Sequence, residues 1–223
     1  FAAGGVGAVL RELKPLLHLD CLNITGRTLR ERLEREDSYV DHEVIRPLNE
    51  PVEPYGGLVS LFGSLAPQGA ILKRSAADSS LFERKGRAFV FHSLEDLSSR
   101  IDDPELEVET DDFLILQNAG PRSGTGMPES GYLPIPAKLS KTGVKDMVRI
   151  SDARMSGTAF GTIILHVTPE ASVGGPLGLV RTGDIIELSV KNRRLDLNVQ
   201  KNELKKRREE MKYKPELKRK NSE

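Results

Sequence analysis

The chain has 223 residues, enough for one large domain or a domain with an appended helical arm, and enough to bury a substantial core. Apolar residues make up 38% and charged residues 30%, and no apolar run reaches the roughly 18 residues of a membrane-spanning helix, which excludes a span of that kind. Lys plus Arg and Asp plus Glu balance at 33 each, so no overall field favours nucleic acid. Cys21 is the single cysteine, which excludes an intramolecular disulfide and any iron-sulfur or zinc site built on several thiolates of this chain, and fits a cytoplasmic setting.

The opening FAAGGVGAVLRELKPLLHLD lacks an initiator Met and a signal pattern and enters a helix at once, so the chain reads as a fragment. Val6, Val9, Leu10, Leu13, Leu16 and Leu17 recur at helical spacing, and Pro15 is expected to disturb the later turns. A second helix is expected from the capping box Thr28-x-x-Glu31. The prolines and paired glycines of IRPLNEPVEPYGG then suggest a linker over about residues 45 to 57.

Beyond the linker LVSLF, AILKRS, RAFVFHS, DFLILQN, DMVRIS, GTIILHV, DIIELSV and RRLDLNV are short, rich in β-branched or aromatic residues and bounded by Gly, Pro or Asp, which predicts about eight strands. Ser93-x-x-Asp96 predicts a helix over SLEDLSSRI, and Pro169 suits the first position of a short helical turn in TPEASVGG. The expected fold is α+β, mainly β with flanking helices: a barrel-like domain of about eight strands preceded by a short helical segment. The expected divisions are a helical segment with linker at 1–50, the barrel at 51–200 and a charged helix or tail at 201–223, where ten basic residues face five acidic ones.

Two loops stand out. AGPRSGTGMPES follows a strand, and its glycines allow close backbone approach to a ligand before Glu129; it reads either as a plain turn or as a cradle presenting a carboxylate. The Walker and dinucleotide patterns both fail there. SDARMSGTAFG sets Ser156 beside Gly157 and Thr158 at a tight turn, where the serine either caps the turn or offers a hydroxyl beside free amides. The hydrolase elbow is not matched, because Arg154 and Thr158 occupy its glycine positions. His18, in a helix, His42, in the charged segment, and His92 and His166, at strand ends, show no metal-ligand spacing and read as packed or surface residues.

The segments GGVGAVLREL, LHLDCLNITGRTL, VIRPLNEP, GGLVSLFGSLAPQGAILK, GRAFVFHSLED, GPRSGTGMPE, DARMSGTAFGTIILHVTPEASVGGPLGLVRTGD and NRRLDLNV resemble, in order, the C-terminal portion of the dihydroxy-acid and 6-phosphogluconate dehydratases. The wording DARMSGTAFGTIILHVTPE resembles the branch acting on sugar acids such as arabinonate and xylonate. The resemblance implies a hydro-lyase that converts a 2,3-dihydroxy carboxylate to a 2-keto-3-deoxy acid with a [2Fe-2S] cluster and Mg2+. It also implies a homodimer or homotetramer with active sites between domains. Carried over by motif, Glu129 is a magnesium ligand, Ser156 the alkoxide base, and the Gly157 and Thr158 amides lie near the substrate carboxylate. The cluster ligands and the other magnesium ligands belong to an N-terminal domain absent from this chain. Ser64 stands where the family usually has Asn, which leaves that position without an inherited role. The competing expectations are a non-catalytic β-barrel that binds an acidic ligand or partner, and a serine hydrolase.

Overall fold

The computed structural model describes residues 1–35, 39–124, 133–154 and 160–212. The chain divides into two compact units, Phe1–Gly56 and Gly57–Glu223.

In the first unit α1 spans Gly5–Glu12 and gives way to a 3-10 turn, Lys14–Leu16, that contains Pro15. Proline lacks the amide an α-helix would need there. His18 lies beyond that turn and outside any helix, a correction to its expected placement. The capping box forms before α2, Leu29–Arg35: the Thr28 amide donates to Glu31 Oε2 at 2.8 Å and the Glu31 amide to Thr28 Oγ1 at 3.1 Å. Among the described residues this unit buries only Ala8 and Leu33, and it leaves Val6, Leu16, Leu22 and Ile24 exposed.

The second unit carries all eight expected strands: β1 Val59–Leu61, β2 Gly69–Leu72, β3 Glu83–Phe91, β4 Phe113–Leu116, β5 Arg149–Ser151, β6 Ile163–Thr168, β7 Ile185–Ser189 and β8 Arg194–Leu197. They form one sheet in the order β1-β2-β6-β5-β4-β3-β7-β8. Its middle four strands, β3 to β6, are mutually parallel; β2 and β7 flank them antiparallel, and the edge strands β1 and β8 pair antiparallel with β2 and β7. The two ends of the sheet nearly meet, since Phe62, just after β1, forms a bridge with Arg194 of β8. Ser64 fastens the same seam, its amide donating to Asp196 Oδ1 at 2.7 Å and its Oγ accepting from the Leu197 amide at 2.8 Å. The result is a mainly β, nearly closed barrel with a few helices.

The parallel strands are covered on both faces, as such strands require. Inside the barrel Phe113 and Ile115 of β4 pack with Ala88, Val90, Ile150, Ile164, Ile186 and Leu195. On the outer face the alternate residues Leu114 and Leu116 pack with Phe89, Phe91, Leu97 and Ile101. The α3 helix, Leu94–Arg100, starts where Ser93 Oγ accepts from the Asp96 amide at 3.2 Å. A short helix α4, Ala137–Lys141, lies between β4 and β5. The turn in TPEASVGG begins at Ala171 with Glu170 as its cap, so Pro169 precedes it rather than opening it. The charged helix α5, Lys201–Lys212, is held by Arg207, which donates to both Asp184 oxygens, the Leu179 carbonyl and Glu203.

Candidate functional site

Because β3 to β6 run the same way, the segments leaving their C-terminal ends emerge at one rim of the barrel. Ligands commonly bind at such a rim in parallel sheets. The Gly-rich loop leaves β4 there and the SDARMSGTAFG loop leaves β5, and β5 and β6 each begin again at the opposite rim.

At the rim the two loops share a buried anchor, Asp152. Its Oδ1 accepts from the Ala119 amide at 3.0 Å and its Oδ2 from the Ala171 amide at 2.8 Å. One carboxyl group thus ties the start of the Gly-rich loop, the start of the serine loop and the segment after β6. Beside it Glu170 accepts from the Arg122 amide at 2.7 Å, and a Cβ on Gly120 would stand 2.5 Å from the same Glu170 oxygen, so glycine is what lets the loop approach.

Burial pushes the Asp152 carboxyl above its ordinary value, helped by the Glu170 charge and opposed by the two amide donors. A raised folded value means that the fold favours the protonated acid. That contribution is complete below the ordinary value of 3.8 and is lost as pH rises through the folded value. Asp152→Asn places an NH2 group against a buried amide and should cost about 1–3 kcal/mol at most. In urea unfolding across the acidic-to-neutral range, the advantage of wild type over this variant should shrink with rising pH. A gap that widened would show that the fold prefers the carboxylate.

At the opposite ends of the two loops stands a second buried pair, Arg149 and Asp146, whose side chains are 4% and 5% exposed and 2.9 Å apart. Arg149 donates to the Leu133 carbonyl at 3.1 Å and to the Phe160 carbonyl at 3.2 Å. Leu133 closes the Gly-rich loop and Phe160 the serine loop. Asp146 in turn accepts from the Thr162 amide and hydroxyl and from the Met147 amide.

A third group sits at the ends of β3 and β4. Gln117 Nε2 donates to the Leu177 and Val180 carbonyls at 2.7 and 3.0 Å, so its Oε1 is left to accept from His92 Nδ1 at 2.9 Å. Gln117, Asp152, Arg149 and Asp146 were not singled out from the sequence. The available signal was polar and charged residues set within or beside apolar strand runs, DFLILQN and DMVRIS.

Glu129, Ser156, Gly157 and Thr158 lie outside the described residues. Among the described residues no three His, Cys, Asp or Glu side chains come together in a way that suits a metal ion. Cys21 is exposed. His166 lies inside β6 with φ 54°, and His92 directly follows β3. No helix among the described residues is long and apolar enough to cross a membrane.

Residues 43–223 match the family described as dihydroxy-acid/6-phosphogluconate dehydratase C-terminal. The chain is 50% identical over 209 residues to the 6-deoxy-6-sulfo-D-gluconate dehydratase of Pseudomonas putida, covering 92% of this chain and 36% of that protein. It is 46% identical over 209 residues to the L-arabinonate dehydratase of Rhizobium leguminosarum bv. trifolii (strain WSM2304), covering 93% and 36%. It is 43% identical over 219 residues to the dihydroxy-acid dehydratase of Ignicoccus hospitalis (strain KIN4/I / DSM 18386 / JCM 14125), covering 97% and 38%. The chain therefore spans little more than a third of each of these relatives. With its barrel, its paired loops and this match over most of its length, the chain belongs to the dihydroxy-acid/6-phosphogluconate dehydratase family and carries the C-terminal domain.

Proposed function

We propose that this chain is the C-terminal part of a cytoplasmic hydro-lyase that dehydrates a sugar acid, a 2,3-dihydroxy carboxylate, to a 2-keto-3-deoxy acid. The observation that supports the reading best is the pair of shared anchors: the loops bearing Glu129 and Ser156 both start on Asp152 and both end on Arg149. Glu129 and Ser156 each stand four positions before an anchored carbonyl, at Leu133 and Phe160.

In this reading Ser156 accepts the C2 proton of the substrate as that C–H bond breaks. The C3–O bond then breaks, the hydroxyl leaves as water with the proton that Ser156 has accepted, which restores the base, and the resulting enol ketonises at C2. The Gly157 and Thr158 amides hold the substrate carboxylate by donating to it. Glu129 offers one hard oxygen, which suits magnesium, while the remaining ligands come from substrate, water or the N-terminal domain. Bound there, the ion supplies positive charge that favours an alkoxide at Ser156 and a more acidic C2–H. A [2Fe-2S] cluster does not fit this chain's own donors, because its single cysteine falls short of the ligand set; those ligands belong to the N-terminal domain, and this chain alone is inactive. The first unit's sparse core and exposed Val6, Leu16, Leu22 and Ile24 support its packing against that domain, in an enzyme that assembles as a homodimer or homotetramer.

The relatives that act on sulfogluconate and arabinonate support the sugar-acid branch. Offered a panel of acids, the complete enzyme is expected to show its highest kcat/KM on a five- or six-carbon aldonate. A specificity constant that favoured branched dihydroxy acids over every aldonate tested rejects that branch.

A further inference from the structure

Arg149 does more than neutralise Asp146. Its Nε donates to the Met147 carbonyl at 3.3 Å, one terminal nitrogen to the Leu133 carbonyl, and the other to both Asp146 and the Phe160 carbonyl. Leu133 and Phe160 are 27 residues apart (160 minus 133) and belong to different loops. The backbone has been shaped around this group: a Cβ on Gly161 would lie 1.8 Å from the Arg149 guanidinium and 2.6 Å from Asp146 Oδ1. A planar fork with five N–H donors can hold several acceptors in fixed directions at once, which an ammonium cannot reproduce.

We propose that Arg149 is a positioning residue that locks the exits of the Gly-rich and serine loops into one unit, so that the groups the two loops carry keep their mutual spacing. It rests on the reading of Glu129 and Ser156 given above for its catalytic consequence, but the coupling itself concerns the backbone alone. The side chain is buried, and it acts on the reaction through the loop exits it holds.

The test replaces Arg149 by Lys in the complete enzyme, which keeps the charge beside Asp146 and removes the fork. Hydrogen exchange should rise about tenfold or more, together, in peptides covering residues 133–136 and 160–163, while β3, β4 and β7 keep their protection. Turnover should fall about 10- to 100-fold with KM little changed, because misplacement by about an ångström is felt in the transition state. A rise in one loop only or no rise in either would overturn the coupling, and an unchanged kcat beside a paired rise would overturn its catalytic consequence. Should the variant fail to fold, native-state exchange on wild type decides: the two exits should open with the same free energy and the same denaturant dependence, and separate openings would overturn it. The exchange readout stands even if Ser156 is shown not to be the base, so failure of the site reading and failure of the coupling are told apart.

Discussion

Replacing Ser156 by Ala in the complete enzyme is expected to lower turnover by about 10²- to 10⁴-fold, the usual cost of removing a positioned base. An ordinary hydroxyl is far too weak an acid to be ionised at neutral pH, so the role requires an environment that favours the alkoxide. A nearby cation and a water-poor cleft both act in that direction. The variant should keep substrate and magnesium affinity, because the side chain lost is one whose charge matters as the C2 proton moves. Loss of the exchange of that proton with solvent deuterium should accompany the loss of turnover. A variant that still exchanged it at the wild-type rate would show that another group does the chemistry and that Ser156 only shapes its turn.

The second large effect is expected in stability rather than rate. Asp146→Ala should destabilise the barrel by about 3–5 kcal/mol, because it strands a buried guanidinium without its counter-charge. The same change leaves the Thr162 amide and hydroxyl without the carboxylate that accepts from them at 2.8 and 2.7 Å. Denaturant unfolding of the purified protein reads the loss directly. A cost below about 1 kcal/mol would mean that water or a rearranged Arg149 side chain satisfies the site, and the pair would then be a minor contributor.

Much of this fold was readable from local patterns. The eight strand runs, the Thr28–Glu31 box and the Ser93 cap each depend on residues a few positions apart, and each formed. Strand order was not readable, because β2 pairs with β6 and β3 with β7, partners separated by long stretches of chain with no signal of mutual recognition. The misplaced features have local causes too. Pro169 looked like a first helical residue, yet the turn starts two residues later at Ala171, whose amide is taken by Asp152. His18 sat in an apparent apolar repeat, but the 3-10 turn containing Pro15 ends the helical run before it. In the candidate site, motif wording pointed to Glu129 and Ser156, whereas the anchors Asp152 and Arg149 escaped notice. A buried charge earns its place through partners distant in sequence, and a single Arg in VRIS carries no periodicity to expose them.

The seam between Phe62 and Arg194 bears on how the protein is made. The residues that close the barrel are 132 positions apart (194 minus 62), and β2 finds its inner neighbour only once β6 exists. A ribosome releases the chain from one end, so β1 and β2 emerge as a hairpin whose free edge must wait through most of the domain's synthesis. Contacts so far apart in sequence slow folding, and an unpaired apolar edge invites pairing with other chains in the meantime. Yield of native protein should therefore depend on elongation pace and on chaperone supply more strongly than the finished barrel's stability would suggest.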